Sequence, residues 1–132
     1  MAKFASTSVL DGGSDVIRAA GAVASRVKMH VIKAYTAGDT YATVIAASCG
    51  SVDMLAADYV QSSISLNRRT TIAAKSITLT VGSGAAPNLH IAHVDSVSSV
   101  VLYVADETTD QVLTAGNTFN VPAHTFDVNQ PV

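Results

Sequence analysis

Apolar and polar residues alternate along much of this chain with the period of two that is typical of half-buried β-strands. The first such segment runs from Val27 to Ala34, where Met29 and Val31 alternate with Lys28 and His30. Two later segments alternate in the same way: Val60, Ile64 and Leu66 against Gln61, Ser63 and Ser65, and Ile77, Leu79 and Val81 against Thr78 and Thr80. The pattern from Tyr59 onward therefore predicts strands joined by turns.

Only the beginning of the chain has a clear helical pattern. Leu10, Ile17, Ala20 and Ala24 recur at close to helical spacing, which predicts a helix over about residues 7–24. Two adjacent glycines at 12 and 13 weaken it, so we expect its regular part to begin at Ser14, as an N-cap, and to end by Gly21. A second, weaker helix is predicted from Thr40 to Ser48.

The alternation changes phase at two places, and each change predicts a break in a strand. Ile72 has the opposite parity to Ile77, which requires a bulge or break near Lys75 if both face one core. Phe119 and Phe126 also differ in parity, with Pro122 between them. Proline cannot donate to a strand ladder, so we expect an edge strand there or a bend between two sheets.

The segment from Val100 to Ala105 is apolar on both faces. Strands of this kind are buried on both sides, so we expect a central strand or one covered by a neighbouring subunit. Val100, Val101, Leu102 and Tyr103 are accordingly candidate interface residues.

Together these elements predict a mainly β fold, α+β by count. The expected architecture is an antiparallel β-sandwich or jelly-roll with an N-terminal helix. The 132 residues fit a single domain, 1–132, with a helical attachment at about 7–24 and a β-rich body at about 27–129.

The composition suggests what the surface is for. Only 14% of residues are charged, against about 25% in an ordinary soluble domain, while 48% are hydrophobic. The longest segment without formal charge, Ser76 to Val94, contains Gly, Pro and His and does not fit a membrane span. A net charge of −2, with eight Lys and Arg against ten Asp and Glu, argues against direct binding of nucleic acid. We therefore expect a neutral surface that other protein chains cover.

The spacing of potential catalytic and metal-binding residues predicts no enzyme, no metal site and no cofactor. His90 and His93 are three residues apart on a predicted strand, so their side chains point to opposite faces. His30 and His124 are expected to face solvent or to form hydrogen bonds at an interface, and Cys49 to be a small buried side chain. The N-terminus lacks the apolar region of a signal peptide.

Arg68 and Arg69 form the one paired basic site. A guanidinium pair at a strand end either binds a carboxylate of a partner or keeps a turn in water, and the sequence leaves both open. With Phe119 and Pro122, these arginines complete the set of candidate interface residues.

The order of these elements resembles that of small virion structural proteins of tailed bacteriophages. The likeness is carried by Ser8-Val9-Leu10-Asp11, Val27 to Ala34, Asn67-Arg68-Arg69-Thr70 leading to Ile77-Thr78-Leu79, Leu89 to Asp95 leading to Val100 to Val104, and Thr114 to Phe119 before a Pro-containing end. Members of that group often have alanine where this chain has Gly12 and Gly13.

This resemblance implies a cement or decoration protein on the capsid exterior, assembled in the host cytoplasm. Its expected partners are the major capsid protein and further copies of itself, most simply as a homotrimer, without nucleic acid or membrane. The alternative is a neck, tail or fibre-linked component that acts as an adaptor or binds a receptor or glycan. An unrelated enzyme or sugar-binding domain is the third hypothesis.

Overall fold

The computed structural model describes residues 10–107 and 109–130. Within these ranges, two α-helices, α1 (Gly12–Gly21) and α2 (Tyr41–Ala46), and a 3-10 helix (Ala56–Asp58) accompany the strands. The strands are β1 (Val27–Ile32), β2 (Ser48–Met54), β3 (Tyr59–Ile64), β4 (Asn67–Ile72), β5 (Lys75–Thr78), β6 (His90–Asp95), β7 (Val100–Asp106), β8 (Thr118–Val121) and β9 (His124–Val128).

All strand pairs are antiparallel and form three sheets, with the orders β2-β1-β6-β7, β3-β4-β9 and β5-β8. Residues from α1 and from all three sheets meet in one main hydrophobic core. The predicted class is thus confirmed: a mainly antiparallel, β-sandwich-like α+β fold with an N-terminal helix.

Strand β1 lies inside the four-stranded sheet and is buried on both faces. Val27, Met29 and Val31 face the main core, as their period predicts. Ile32 lies on the other face, in a second cluster with Val44 of α2. Helix α2 covers this second face, and the Thr40 hydroxyl caps it by accepting a hydrogen bond from the Thr43 N–H at 3.3 Å.

Helix α1 ends at Gly21 as predicted but begins earlier than expected, at Gly12. Ser14 is not an N-cap: it is a helical residue and is buried. The side chain of Asp11, at the N-cap position, makes no capping bond because Arg68 of β4 holds its carboxylate instead. The first residues of the predicted helix, 7–9, lie outside the described residues.

Both predicted breaks in the β pattern are confirmed. Strand β4 ends at Ile72, and β5 begins at Lys75 in another sheet. Likewise β8 and β9 belong to different sheets and are separated by Pro122. Ile72, before the first break, and Phe119, before the second, are both buried. Each break changes which alternate side chains of the following strand face the core.

A close approach between β2 and β5 requires glycine at position 50. A Cβ built on Gly50 would lie 2.6 Å from the carbonyl oxygen of Thr78, which is far inside normal contact. Gly50 also forms an isolated bridge with Leu79. The absent side chain therefore lets the two-stranded sheet join the edge of the four-stranded one.

Val100 to Ala105 is not a central strand, because β7 lies at an edge of its sheet, and cover by a neighbouring subunit, the other predicted alternative, stays a prediction. Its pairing with β6 shifts register between His93 and Val94, where Leu102 is the extra residue. This β-bulge turns Leu102 and Tyr103 towards the main core, while Val101 and Val104 pack against the second cluster. Residues of the same chain pack against both faces of the strand, although its middle residues stay half-buried.

Candidate interaction surface

The apolar residues of β7 offer little free surface. Val100, the first residue of the strand, is 46% exposed, whereas Val101, Leu102 and Tyr103 are half-buried against the two core clusters. The exposed apolar surface at this end of the sheet continues into the β6–β7 turn, where Val97 is 70% exposed. Val100 is therefore the member of this predicted set that is open to a partner.

Two other predicted interface residues lie in very different places. Phe119 of β8 is buried and packs in the main core, so its assignment to an interface is wrong: its side chain is already covered. Pro122 is exposed between β8 and β9 and lines an open groove of about 570 Å³ with Lys75 and Asn120. Pro122 therefore stays a candidate.

Both arginines of the predicted basic pair bind carboxylates of their own chain. Arg68 donates from Nε and Nη2 to the two oxygens of Asp11, at 2.8 and 3.1 Å. Arg69 donates to both oxygens of Asp127, each at 2.7 Å, and these bonds lower the pKa of that carboxyl. The Arg68 pair ties β4 to the start of α1, and the Arg69 pair links β4 to β9.

A group of aromatic rings, buried at its centre, joins the four-stranded and three-stranded sheets. His93 of β6 lies at its centre, with ring centroids of Tyr59, Tyr103 and His124 at 5.7 to 5.8 Å. Its Nδ1 lies 2.8 Å from the Tyr59 hydroxyl, and its Nε2 is buried without a hydrogen-bond partner among the described residues. Phe126 extends the group by packing on Tyr103 at 5.0 Å.

His93 and His30 are neutral at pH 7 because they are buried. Burial, together with smaller contributions from the neighbouring His124 and His30, lowers the pKa of His93 to about 3. His30 is also buried, contrary to the prediction of a solvent-facing side chain, and its Nδ1 lies 2.8 Å from the Ser48 hydroxyl. Burial and the charge of Lys28 lower its pKa to about 4.

His90 and His93 occupy opposite faces of β6, as their spacing predicts. His90 is only partly buried, lies against the ring of Tyr35 at 5.5 Å and contacts Asp106 at 3.4 Å. Within residues 10–107 and 109–130, no three His, Cys, Asp or Glu side chains come together to hold a metal ion. Cys49 is fully buried, as expected, and burial raises the pKa of its thiol.

A second open groove, of about 300 Å³, borders β8. Neutral amides and hydroxyls supply much of its wall: Gln111, Thr114, Asn117, Thr118 and Asn120. Such groups donate and accept hydrogen bonds without charge, which suits a neutral polar ligand or a peptide backbone.

The β3–β4 hairpin carries an exposed apolar surface whose orientation the sequence did not reveal. The two faces of β3 alternate as predicted, but Tyr59 is 1% exposed while Val60 is 57% and Ile64 38% exposed. Leu66, in the turn, is 71% exposed. The more polar face is turned inward because Gln61 bonds to Asp15 and Arg18 of α1. Side-chain hydrogen bonds of this kind leave no mark in a hydrophobicity pattern.

Comparisons with known proteins found no match to any family model, curated protein or solved structure. Across the described part of the chain, helices also lack the combined length and apolar character that a membrane crossing requires. The exposed apolar residues and the two open grooves are therefore the features that bear on function.

Proposed function

We propose that the chain is a structural protein of a tailed-phage virion, a cement or decoration protein that bridges and stabilises major capsid subunits without catalysing a reaction. The observation that carries the proposal is the distribution of exposed apolar side chains. They lie on separate elements, with Leu66 in the β3–β4 turn, Val97 in the β6–β7 turn and Val112 beside the amide-lined groove.

Weakly charged surfaces suit a protein that has several neighbours. Burying an ionised group costs several kcal/mol unless it is paired, so the surface of a chain with only 14% charged residues is cheaper to cover. The bidentate pairs of Arg68 and Arg69 also neutralise much of the charge that β4 carries. Low charge is typical of the buried centre of protein interfaces.

Several modest contacts are enough to hold such a protein on a lattice. When the first contact forms, the effective concentration of the next one rises, so weak contacts multiply in strength. We expect a homotrimer placed where capsid subunits meet. A protein that binds the assembled shell better than free subunits then stabilises the shell by mass action.

The alternative, a neck, tail or fibre-linked component that binds a glycan, is favoured by one observation. The groove lined by Gln111, Asn117 and Asn120 provides neutral hydrogen-bonding groups of the kind that sugars use. It lacks an aromatic platform on its exposed surface, since Phe119 is buried, and this makes the groove a weaker argument than the apolar surface.

The test is to add the purified protein to capsids assembled from the major capsid protein of the same phage genome. We expect co-sedimentation, an electron-microscopy map with density over the whole shell, and a higher temperature of capsid disruption. Density confined to a single vertex, or binding on a glycan array, would support the alternative. A protein that binds neither capsids nor glycans would contradict both proposed functions.

A further inference from the structure

The outer edge of β3 differs from the other sheet edges. Its six residues, Tyr59 to Ile64, carry no charge and no proline, and its pairing with β4 runs without a register shift. By contrast, β7 contains a bulge, β9 contains Asp127, the edge strand β8 has only 4 residues, and the edge of β2 is joined to β5 at Gly50. Natural proteins protect sheet edges with charges, prolines or bulges, so an edge without them is suited to pairing with another strand.

The hydrogen-bond phase of the hairpin fixes which residues of β3 can bind a further strand. The N–H of Ala73 donates to the carbonyl of Asp58 at 2.8 Å, and bonded pairs alternate along an antiparallel ladder. Ser62 is therefore bonded to Arg69, its partner in β4. Gln61 and Ser63 direct their N–H and C=O groups away from β4, and no described residue pairs with them on that side.

We propose that β3 pairs with β3 of a second copy of this chain, antiparallel, across a two-fold axis at Ser62. In this register Gln61 lies opposite Ser63 of the second copy. These two residues carry the outward backbone groups, so they exchange two hydrogen bonds, and symmetry gives two more. The product is a continuous six-stranded sheet in the order β9-β4-β3-β3-β4-β9.

The side chains fit the same register, and this is why a second copy is the occupant. Val60 lies opposite Ile64 of the second copy, on the outer face where both are exposed in one chain. Directly opposite β-branched side chains in a non-hydrogen-bonded pair are close enough to pack. Ser62 meets its own copy at the axis, and no like charges meet. A strand without apolar side chains at both of these positions would satisfy the backbone but leave Val60 or Ile64 exposed.

This inference does not depend on the proposed function. The contact is two-fold, so it pairs copies whether or not a trimer also forms. In a shell it would join neighbouring trimers.

A disulfide provides the first test. In the proposed register the Cα atoms of the two Ser62 residues lie about 4.5 Å apart, within the range that a disulfide spans. The variant Ser62→Cys should form a covalent dimer under mild oxidation. The matched control is Ser63→Cys, whose two Cα atoms would be about 8.5 Å apart, beyond that range. Both serines are exposed, and the native Cys49 is buried. Equal cross-linking of the two variants, or none, would overturn the register.

Charge repulsion at the axis provides the second test. Ser62→Lys places two ammonium groups opposite each other, and we expect the dissociation constant from sedimentation equilibrium to rise at least ~10-fold. The control, Thr125→Lys, adds the same charge to exposed Thr125 of β9, on the same sheet but at its other edge, and should leave association unchanged. Circular dichroism confirms that both variants fold. A wild-type chain that stays monomeric at high micromolar concentration, or one whose association ignores Ser62→Lys, would overturn the proposal.

Discussion

Strands β7 and β3 both lie at sheet edges, but they differ in what is already covered. The faces of β7 are occupied by the chain's own two core clusters, and a bulge at Leu102 interrupts its edge. Strand β3 is regular, and Val60 and Ile64 are exposed on its outer face. Along its outer edge, backbone N–H and C=O groups point away from β4.

The difference shows that apolar composition and readiness to associate are separate properties of a strand. Apolar side chains report which faces are buried, and in β7 the same molecule buries them. Pairing depends on the backbone edge, which hydrophobicity does not describe. The less apolar β3 is therefore the better candidate for contact with another chain.

The largest effect is expected from acid, which should lower the free energy of unfolding by protonating His93, whose ring packs on Tyr103 of β7, and His30. The pKa values of His93 and His30 are about 3 and about 4 in the folded chain, below the ~6.5 of an unfolded histidine. Between these values the unfolded state binds more protons, so stability is complete above about pH 6.5 and falls as the pH drops, by about 1.4 kcal/mol per pH unit for each histidine.

Urea unfolding between pH 7 and 4.5 measures this slope. Asp95, whose pKa is lowered mainly by its hydrogen bonds to Arg26, contributes to the pH dependence only below this range. His30→Asn should remove the part of the slope that comes from His30. A free energy of unfolding that is flat from pH 7 to 5 would contradict the burial of neutral histidines.

Truncation of one side chain in each strand sharpens the comparison directly. Tyr103→Ala removes a ring packed between His93 and Phe126, and we expect the free energy of unfolding to fall by about 3 kcal/mol. Val60→Ala, at an exposed position of β3, should change it by less than ~0.5 kcal/mol. Both are measured by denaturant unfolding at a concentration where the chain is monomeric. Similar losses for the two variants would mean that β3 is buried within one chain.

The hydroxyl of Tyr59 gives the smallest of these effects, because one hydrogen bond joins β3 to the buried histidine. Tyr59→Phe leaves Nδ1 of His93 without its partner, and we expect a loss of about 1 to 2 kcal/mol. Tyr103→Phe is the control, since the ring packing of Tyr103 is retained, and its loss should be below ~0.5 kcal/mol. If Tyr59→Phe is as stable as the wild type, the bond to His93 does not contribute to folding.

Much of the fold could be predicted because it depends on local periodicity. The alternation in β1 and the phase changes at Lys75 and Pro122 all correspond to observed features. The buried histidines could not be predicted, since His30 occupies the polar phase of its strand and is nevertheless buried on the second face of β1. Which face of β3 is exposed could not be predicted either, because Gln61 is turned inward by hydrogen bonds to a helix that is distant in sequence.

The most direct test of the account is amide hydrogen exchange in the wild-type chain at low and high protein concentration. We predict that exchange at Gln61 and Ser63 slows as the concentration rises, because their N–H groups become bonded to a second copy, while exchange along β7 stays the same. Exchange at Gln61 and Ser63 that is independent of concentration, or slowing confined to β7, would contradict the assignment of β3 as the edge that a second copy covers.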